Sequence, residues 1–122
     1  MATTLVGMKD EHEFFPVDQV AWQAATPTVT ERTLSRGEDE RTLTRIAHWA
    51  PGTDTSAAGV IRHEYVEEVY ILDGELHDLT LGRTFTAGCY ACRRPGMPHG
   101  PYRTEGGCTM LEIRYLSASP GS

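Results

Sequence analysis

The 122-residue sequence contains one lysine, Lys9, no asparagine at all, and only three cysteines, Cys89, Cys92 and Cys108. Without asparagine there is no acceptor for N-linked sugar, and three cysteines cannot all pair within one chain. Both features suit a reducing compartment. The N-terminal residues also lack the charged-then-apolar arrangement of a secretory leader, so a cytoplasmic location is expected. No segment approaches the roughly 18 consecutive apolar residues of a membrane span, which argues against an integral helix. Positive charge is short as well, with 11 Lys and Arg against 17 Asp and Glu and a formal net charge of -6. That balance gives no electrostatic footprint for nucleic acid or an anionic membrane, and it leaves a small molecule or another protein as partner.

Sustained helical periodicity is missing between Thr42 and Leu116. What stands there instead is a succession of short alternating runs punctuated by Gly and Pro. "TLTRIAHWAPG", from Thr42, reads as a strand stopped by a Pro-Gly corner. "EEVYILDGELHDLTLG", from Glu67, reads as strand, Asp73-Gly74 hairpin turn and strand, because Asp-Gly between apolar runs is a strong hairpin signal. "RTFTAGCYACRRPGMPHGPY", from Arg83, adds two short strands and a loop, and "CTMLEIRYL", from Cys108, supplies a last strand. The length suits one hydrophobic core. An all-β, antiparallel barrel or sandwich of one domain is expected. It would comprise an N-terminal arm over 1–28, a barrel over 29–116 and a loose tail over 117–122.

The chemistry concentrates in "IRHEYVEEVYILDG", Ile61 to Gly74. On a strand, even separations share a face, so Ile61, His63, Tyr65, Glu67, Val69 and Ile71 form one row and Glu68 belongs to the other. If that row faces the interior, the Glu67 carboxylate needs a partner, since an unpaired buried charge is costly. A divalent metal held by His63 and Glu67 would provide one, and His99, fixed between Pro and Gly in "RRPGMPHGPY", offers a third ligand. Two histidines and one carboxylate with open positions is the arrangement associated with non-haem iron oxygenases.

Other residues are weighed beside these. His48 is a further candidate for the shell, the alternative being a histidine satisfied by hydrogen bonds; His12 and His77 are expected to be exposed. Glu68 reads as a solvated or dimer-facing charge. "CYAC" is one CxxC without a second, so all three cysteines are read as small packing residues. Tyr65, on the inward row, and Tyr102, just past His99, are the candidate catalytic residues, with plain core packing as the competing reading.

His63, Glu67 and Gly74 fit the first motif of the cupins in its second histidine, glutamate and closing glycine. Gly88, Pro95, Gly96 and His99 resemble the second motif. From about Val29 to Tyr115 the chain is similar to short single-barrel cupins of the ChrR anti-sigma type, with paired glutamates, "RRPG" and "HGPY" in common. It departs from the pattern at Ile61, where the first histidine would stand, at Arg103, where an asparagine often follows, and in a loop before Glu67 about three residues longer than usual.

The resemblance implies a jelly-roll β-sandwich barrel that pairs as a homodimer. It also implies a divalent metal, with Fe2+ favoured over Zn2+, Mn2+ or Ni2+. By the same resemblance the expected function is a metal-dependent dioxygenase acting on a small carbonyl or phenolic compound, as in the acetylacetone- and dihydroxyacetophenone-cleaving cupins. The alternatives are an isomerase, lyase or cyclase that uses the ion as a Lewis acid, and a non-catalytic metal-binding sensor domain.

Overall fold

A computed structural model describes residues 8–117, so all but Ser117 of the expected loose tail lies outside the described residues. The regular elements are strands and two single-turn 3-10 segments, Val17–Gln19 and Ser56–Ala58. In chain order the strands are β1 (Gln23–Ala24), β2 (Val29–Arg36), β3 (Leu43–Trp49), β4 (Val66–Asp78), β5 (Arg83–Thr86), β6 (Tyr90–Arg93), β7 (Tyr102–Arg103) and β8 (Cys108–Tyr115). All pair antiparallel. The all-β expectation therefore holds, and no helix among the described residues is long and apolar enough to cross a membrane.

The strands form two layers joined through β4. In the larger layer the order is β1-β2-β3-β8-β4-β6, and in the smaller the C-terminal half of β4 lies between β5 and β7. Alternation decides what faces inward. Leu43, Arg45 and Ala47 of β3, Cys108, Met110 and Glu112 of β8, and Glu67, Val69 and Ile71 of β4 are buried. Register aligns these positions across strands: Ala47 opposite Met110 opposite Ile71, then Arg45 opposite Glu112 opposite Val69. The apolar end of the interior gathers Val69, Ile71, Leu76, Tyr102, Cys108 and Met110, with Trp49, Phe85 and Cys89 packed against it.

One sequence expectation fails here. Asp73-Gly74 is no hairpin turn, and β4 continues through it as one strand of 13 residues. The reason is that both halves of the strand find ladder partners on both sides, the first between β8 and β6 and the second between β5 and β7. Gly74 instead serves the bend that carries β4 from one layer to the other, next to a register shift between Ile71 and Asp73. Its φ of 83° belongs to the left-handed region, and a Cβ there would overlap the carbonyl oxygen of Gly107. The actual β4–β5 turn follows Asp78, whose carboxylate accepts the N–H groups of Thr80 and Leu81 while Gly82 N–H bonds the Asp78 carbonyl.

The stretch read as an arm contributes β1 and otherwise runs beside β2. Asp10 N–H donates to the Arg36 carbonyl, Lys9 Nζ donates to Thr44, and Arg32 lies 4.1 Å from the centroid of the Trp22 ring while donating to the Val17 carbonyl.

Candidate metal centre

His63, Glu67 and His99 converge: each offers a ligand atom, and these atoms lie within 4.8 Å of one another. The route to that convergence differs from the sequence reading. β4 begins only at Val66, so Ile61, His63 and Tyr65 precede the strand and do not share its row. His63 arrives on a loop pinned to the loop of His99 by three main-chain bonds. Ile61 N–H donates to the His99 carbonyl at 2.8 Å, His99 N–H to the Ile61 carbonyl at 3.0 Å, and Gly96 N–H to the His63 carbonyl at 2.8 Å. Two loops laced in this way hold two imidazoles with ring centroids 4.8 Å apart. Ile61, where the cupin pattern has a histidine, takes part in this lacing through its backbone, and the shell has three side chains.

The donor chemistry fits a divalent cation. Burial pushes the pKa of His63 below the ordinary histidine value; the Glu67 charge opposes that shift, and Arg114 and Arg93 add to it. Burial, then the charge of Arg93, lowers His99 likewise. Neutral imidazole is the form that donates a lone pair to a metal. The Met97 carbonyl, 3.4 Å from His99 Nδ1, can only accept, which leaves Nε2 as the ligand atom, 3.8 Å from Glu67 Oε1. The Glu67 side chain is 7% exposed.

Sequence reasoning missed the two arginines that flank this carboxylate. Register sets Glu67 of β4 opposite Arg114 of β8 on one side and Arg93 of β6 on the other. Arg114 Nε donates to Glu67 Oε2 at 3.1 Å, and the guanidinium of Arg93 lies 3.6 Å from Oε1. Behind them Arg45 pairs with Glu112 at 2.6 Å and with Glu31 at 3.1 Å. Burial works against the charge of Arg45, but the carboxylates of Glu112, Glu31 and Glu67 outweigh it and raise its pKa, so it stays a cation. The signal was present in "CTMLEIRYL": on an inward row beginning Cys108 and Met110, Glu112 and Arg114 are charges where packing alone would place apolar groups.

A cavity of about 420 Å³ opens beside the centre, a size that suits a small organic molecule. His99, Arg93 and Tyr102 line its polar end, and Ile71, Leu76, Leu81 and Phe85 are among its apolar walls. Tyr102 is buried, packs edge-on to Trp49, and accepts a 2.6 Å hydrogen bond from Arg93 on its hydroxyl. Burial pushes its phenol pKa up, against the pull of Arg93, so its own proton stays available to donate. Tyr65 is buried against the site in a different way, stacked on His63 at 4.5 Å between centroids and 4.8 Å from the Arg114 guanidinium.

The remaining expectations divide. His48 does not join the shell; it is exposed on β3, with its ring nitrogen bonded to Thr109 and its ring 6.2 Å from Trp22, because its register position faces out. His12 is exposed against Phe15, while His77 is only partly exposed and bonds Thr84 across the β4–β5 ladder. Glu68 lies on the outer face, where it accepts a bond from the Tyr90 hydroxyl. The cysteines are unpaired, with Cys108 buried, Cys89 packed against the core and Cys92 exposed.

Solved structures bear the same architecture. An RmlC-like cupin from Shewanella frigidimarina matches over 91% of this chain and 96% of its own, with a TM-score of 0.71 and 18% identity. An acetylacetone dioxygenase from Acinetobacter johnsonii matches over 93% and 81%, with a TM-score of 0.65 and 14% identity. A chain of the Rhodobacter sphaeroides complex of SigE with the anti-sigma ChrR matches over 81% of this chain and 51% of its own, with a TM-score of 0.62 and 21% identity. Identities this low show the fold, that of a cupin, and no curated protein matches the sequence. The model of the ChrR cupin-like domain matches residues 10–115, and with nearly its whole described length so covered, the chain belongs to that family.

Proposed function

We propose that the protein is a metal-dependent cupin enzyme, with Fe2+ as the favoured ion, that cleaves a small carbonyl or phenolic compound with molecular oxygen. The observation that carries this reading is the convergence of His63, Glu67 and His99 at the polar end of a cavity with apolar walls. The acetylacetone dioxygenase among the structural neighbours supports the reaction class. When bound, such an ion supplies Lewis acidity and one-electron chemistry with oxygen. The chain's own residues do the rest. Arg93 and the protonated hydroxyl of Tyr102 face the cavity and can hold an oxyanion of the substrate. Leu76, Leu81 and Phe85 exclude water around its body.

Metal analysis of protein purified without chelator tests the site: near-stoichiometric metal in the parent and its loss in His63→Ala and His99→Ala are expected. Oxygen uptake with small diketones and hydroxyaryl ketones then tests the reaction. Turnover that persists without oxygen and with zinc would favour the Lewis-acid isomerase or lyase reading, for which Tyr102 offers the proton. The protein works as a homodimer in this reading, with the outer-face Tyr70, Leu72 and Tyr90, all exposed, as the surface to cover. Sedimentation at micromolar concentration measures that directly, and a monomer would dismiss it.

A further inference from the structure

One oxygen of Glu67 is claimed twice. Oε2 is committed to Arg114 at 3.1 Å, whereas Oε1 faces both His99 Nε2, at 3.8 Å, and the Arg93 guanidinium, at 3.6 Å. A metal ligated by His99 and Glu67 needs this oxygen at about 2.0–2.2 Å. Of the two arginine contacts to this carboxylate, that of Arg93, at 3.6 Å against 3.1 Å for Arg114, is the looser, and it is the one such an ion displaces. We infer that Arg93 is a two-position residue: it neutralises Glu67 before metal binds, and afterwards turns to the cavity as the receptor for a small monoanion with an apolar body. This inference rests on the metal site proposed above and names the class of ligand it accepts.

Charge balance argues for the anion. Around the centre the ion-paired, largely buried side chains are Glu31, Glu67 and Glu112 against Arg45, Arg93 and Arg114, a neutral set, and the one further carboxylate lining the cavity, Asp78, is held by the backbone N–H groups of Thr80 and Leu81. A divalent ion adds two positive charges in an enclosed space beside Arg93. Both the ion and the freed guanidinium then favour an anionic occupant, since an uncompensated charge there is costly.

Geometry argues for the direction of the turn. Arg93 is already tethered on its far side by its 2.6 Å bond to the Tyr102 hydroxyl, and Arg93, Tyr102 and His99 line the same end of the cavity. A guanidinium released from Oε1 keeps that tether and presents its remaining N–H donors to the cavity, in the forked geometry that matches a carboxylate or an enolate. Away from that end the walls are mostly apolar, Ile71, Leu76, Leu81 and Phe85 among them, which suits an aliphatic or aromatic body; Asp78 and Thr80 also line the cavity, and the Asp78 carboxylate disfavours a phosphate.

The consequence is coupling. Metal frees the anion receptor and the anion compensates the metal, so each tightens the other by the same factor. Titration calorimetry of the full chain with benzoate as probe, metal-free and loaded with redox-inert Zn2+, measures this without any turnover. The expected result is benzoate binding about tenfold or more tighter in the zinc form, with zinc tightened equally by saturating benzoate. Benzamide, the neutral isostere, should show no such coupling. In Arg93→Gln the benzoate coupling should largely vanish while zinc affinity is kept or improved, because a competitor for Oε1 has gone; Arg93→Lys should fall between.

Zinc uptake with equal benzoate affinities in both forms overturns the inference. So does Arg93→Gln that keeps the full coupling, since the ion alone would then hold the anion. Failure of the parent to take up zinc overturns the metal site itself and this inference with it, an outcome the uptake measurement separates from the others. Thermal melting of Arg93→Gln checks that the variant is folded. If it is not, Arg93→Lys carries the test, and its full retention of coupling, zinc affinity and melting point together would overturn the forked contact.

Discussion

Met110, Glu112 and Arg114 stand two residues apart on one strand, β8, and face the same interior, yet they build opposite regions. At Met110 the cross-strand neighbours are Ala47 and Ile71, and the region is apolar packing whose far side, at Ile71 and Leu76, walls the cavity. At Arg114, four residues further along the strand, they are Leu43 and Glu67, and the interior there holds paired charges. The backbone geometry is common to both. What differs is the reason each region exists: apolar burial stabilises the fold by itself, whereas buried ion pairs barely repay their desolvation and are poor evidence for stability. Charges retained on an inward row, against that cost, mark the end of the barrel that carries the candidate metal centre.

Removing one partner from each region tests the difference. Glu67→Gln leaves Arg93 and Arg114 facing a neutral amide, and breaking a buried pair in this way costs about 3–5 kcal/mol. Chemical denaturation of the metal-free protein should show that loss, and metal content should fall to background as well. Met110→Ala, at a side chain 2% exposed, should cost about 2–5 kcal/mol through the cavity it leaves, with metal stoichiometry unchanged. Loss of metal in Met110→Ala, or stability unchanged in Glu67→Gln, would erase the distinction between the two ends.

Alternation made part of this legible before any coordinates. It assigned Glu67 inward and Glu68 outward, and the structure agrees, with Glu67 buried and Glu68 on the outer face. The barrel class and the set His63, Glu67 and His99 were within reach of motif spacing. The start of β4 was not, because no Gly or Pro marks it and the chain from Ile61 to Tyr65 is shaped by its bonds to the loop of His99. That lacing joins residues more than thirty apart, and no local pattern carries it. Asp73-Gly74 misled for a related reason: a dipeptide can favour a turn, but whether the chain turns or bends depends on which strands stand on either side. Arg114 could be read as an inward charge from its own strand, but the pairing of Arg93 and Arg114 with Glu67 required the register of three strands at once.

The smallest effect belongs to the apolar end and reads its dielectric. Burial, reinforced by the nearby carboxylates of Glu75 and Asp73, pushes the Cys108 thiol up to about 12, whereas its ordinary value is 9.0. Only thiolate reacts with alkylating agents, so at pH 8.5 iodoacetamide should label the exposed Cys92 and leave Cys108 unmodified until the protein is denatured. The sign for stability follows. Below pH 9 the thiol is protonated in both states and contributes no pH dependence. Between about 9 and 12 the unfolded chain loses that proton and the folded chain keeps it, so stability falls as pH rises. Cys108→Ala should flatten that alkaline fall without altering metal content. A Cys108 that labels as fast as Cys92 in the folded protein would mean that water reaches the packed end of β8, and that the two ends of this interior differ in sequence more than in environment.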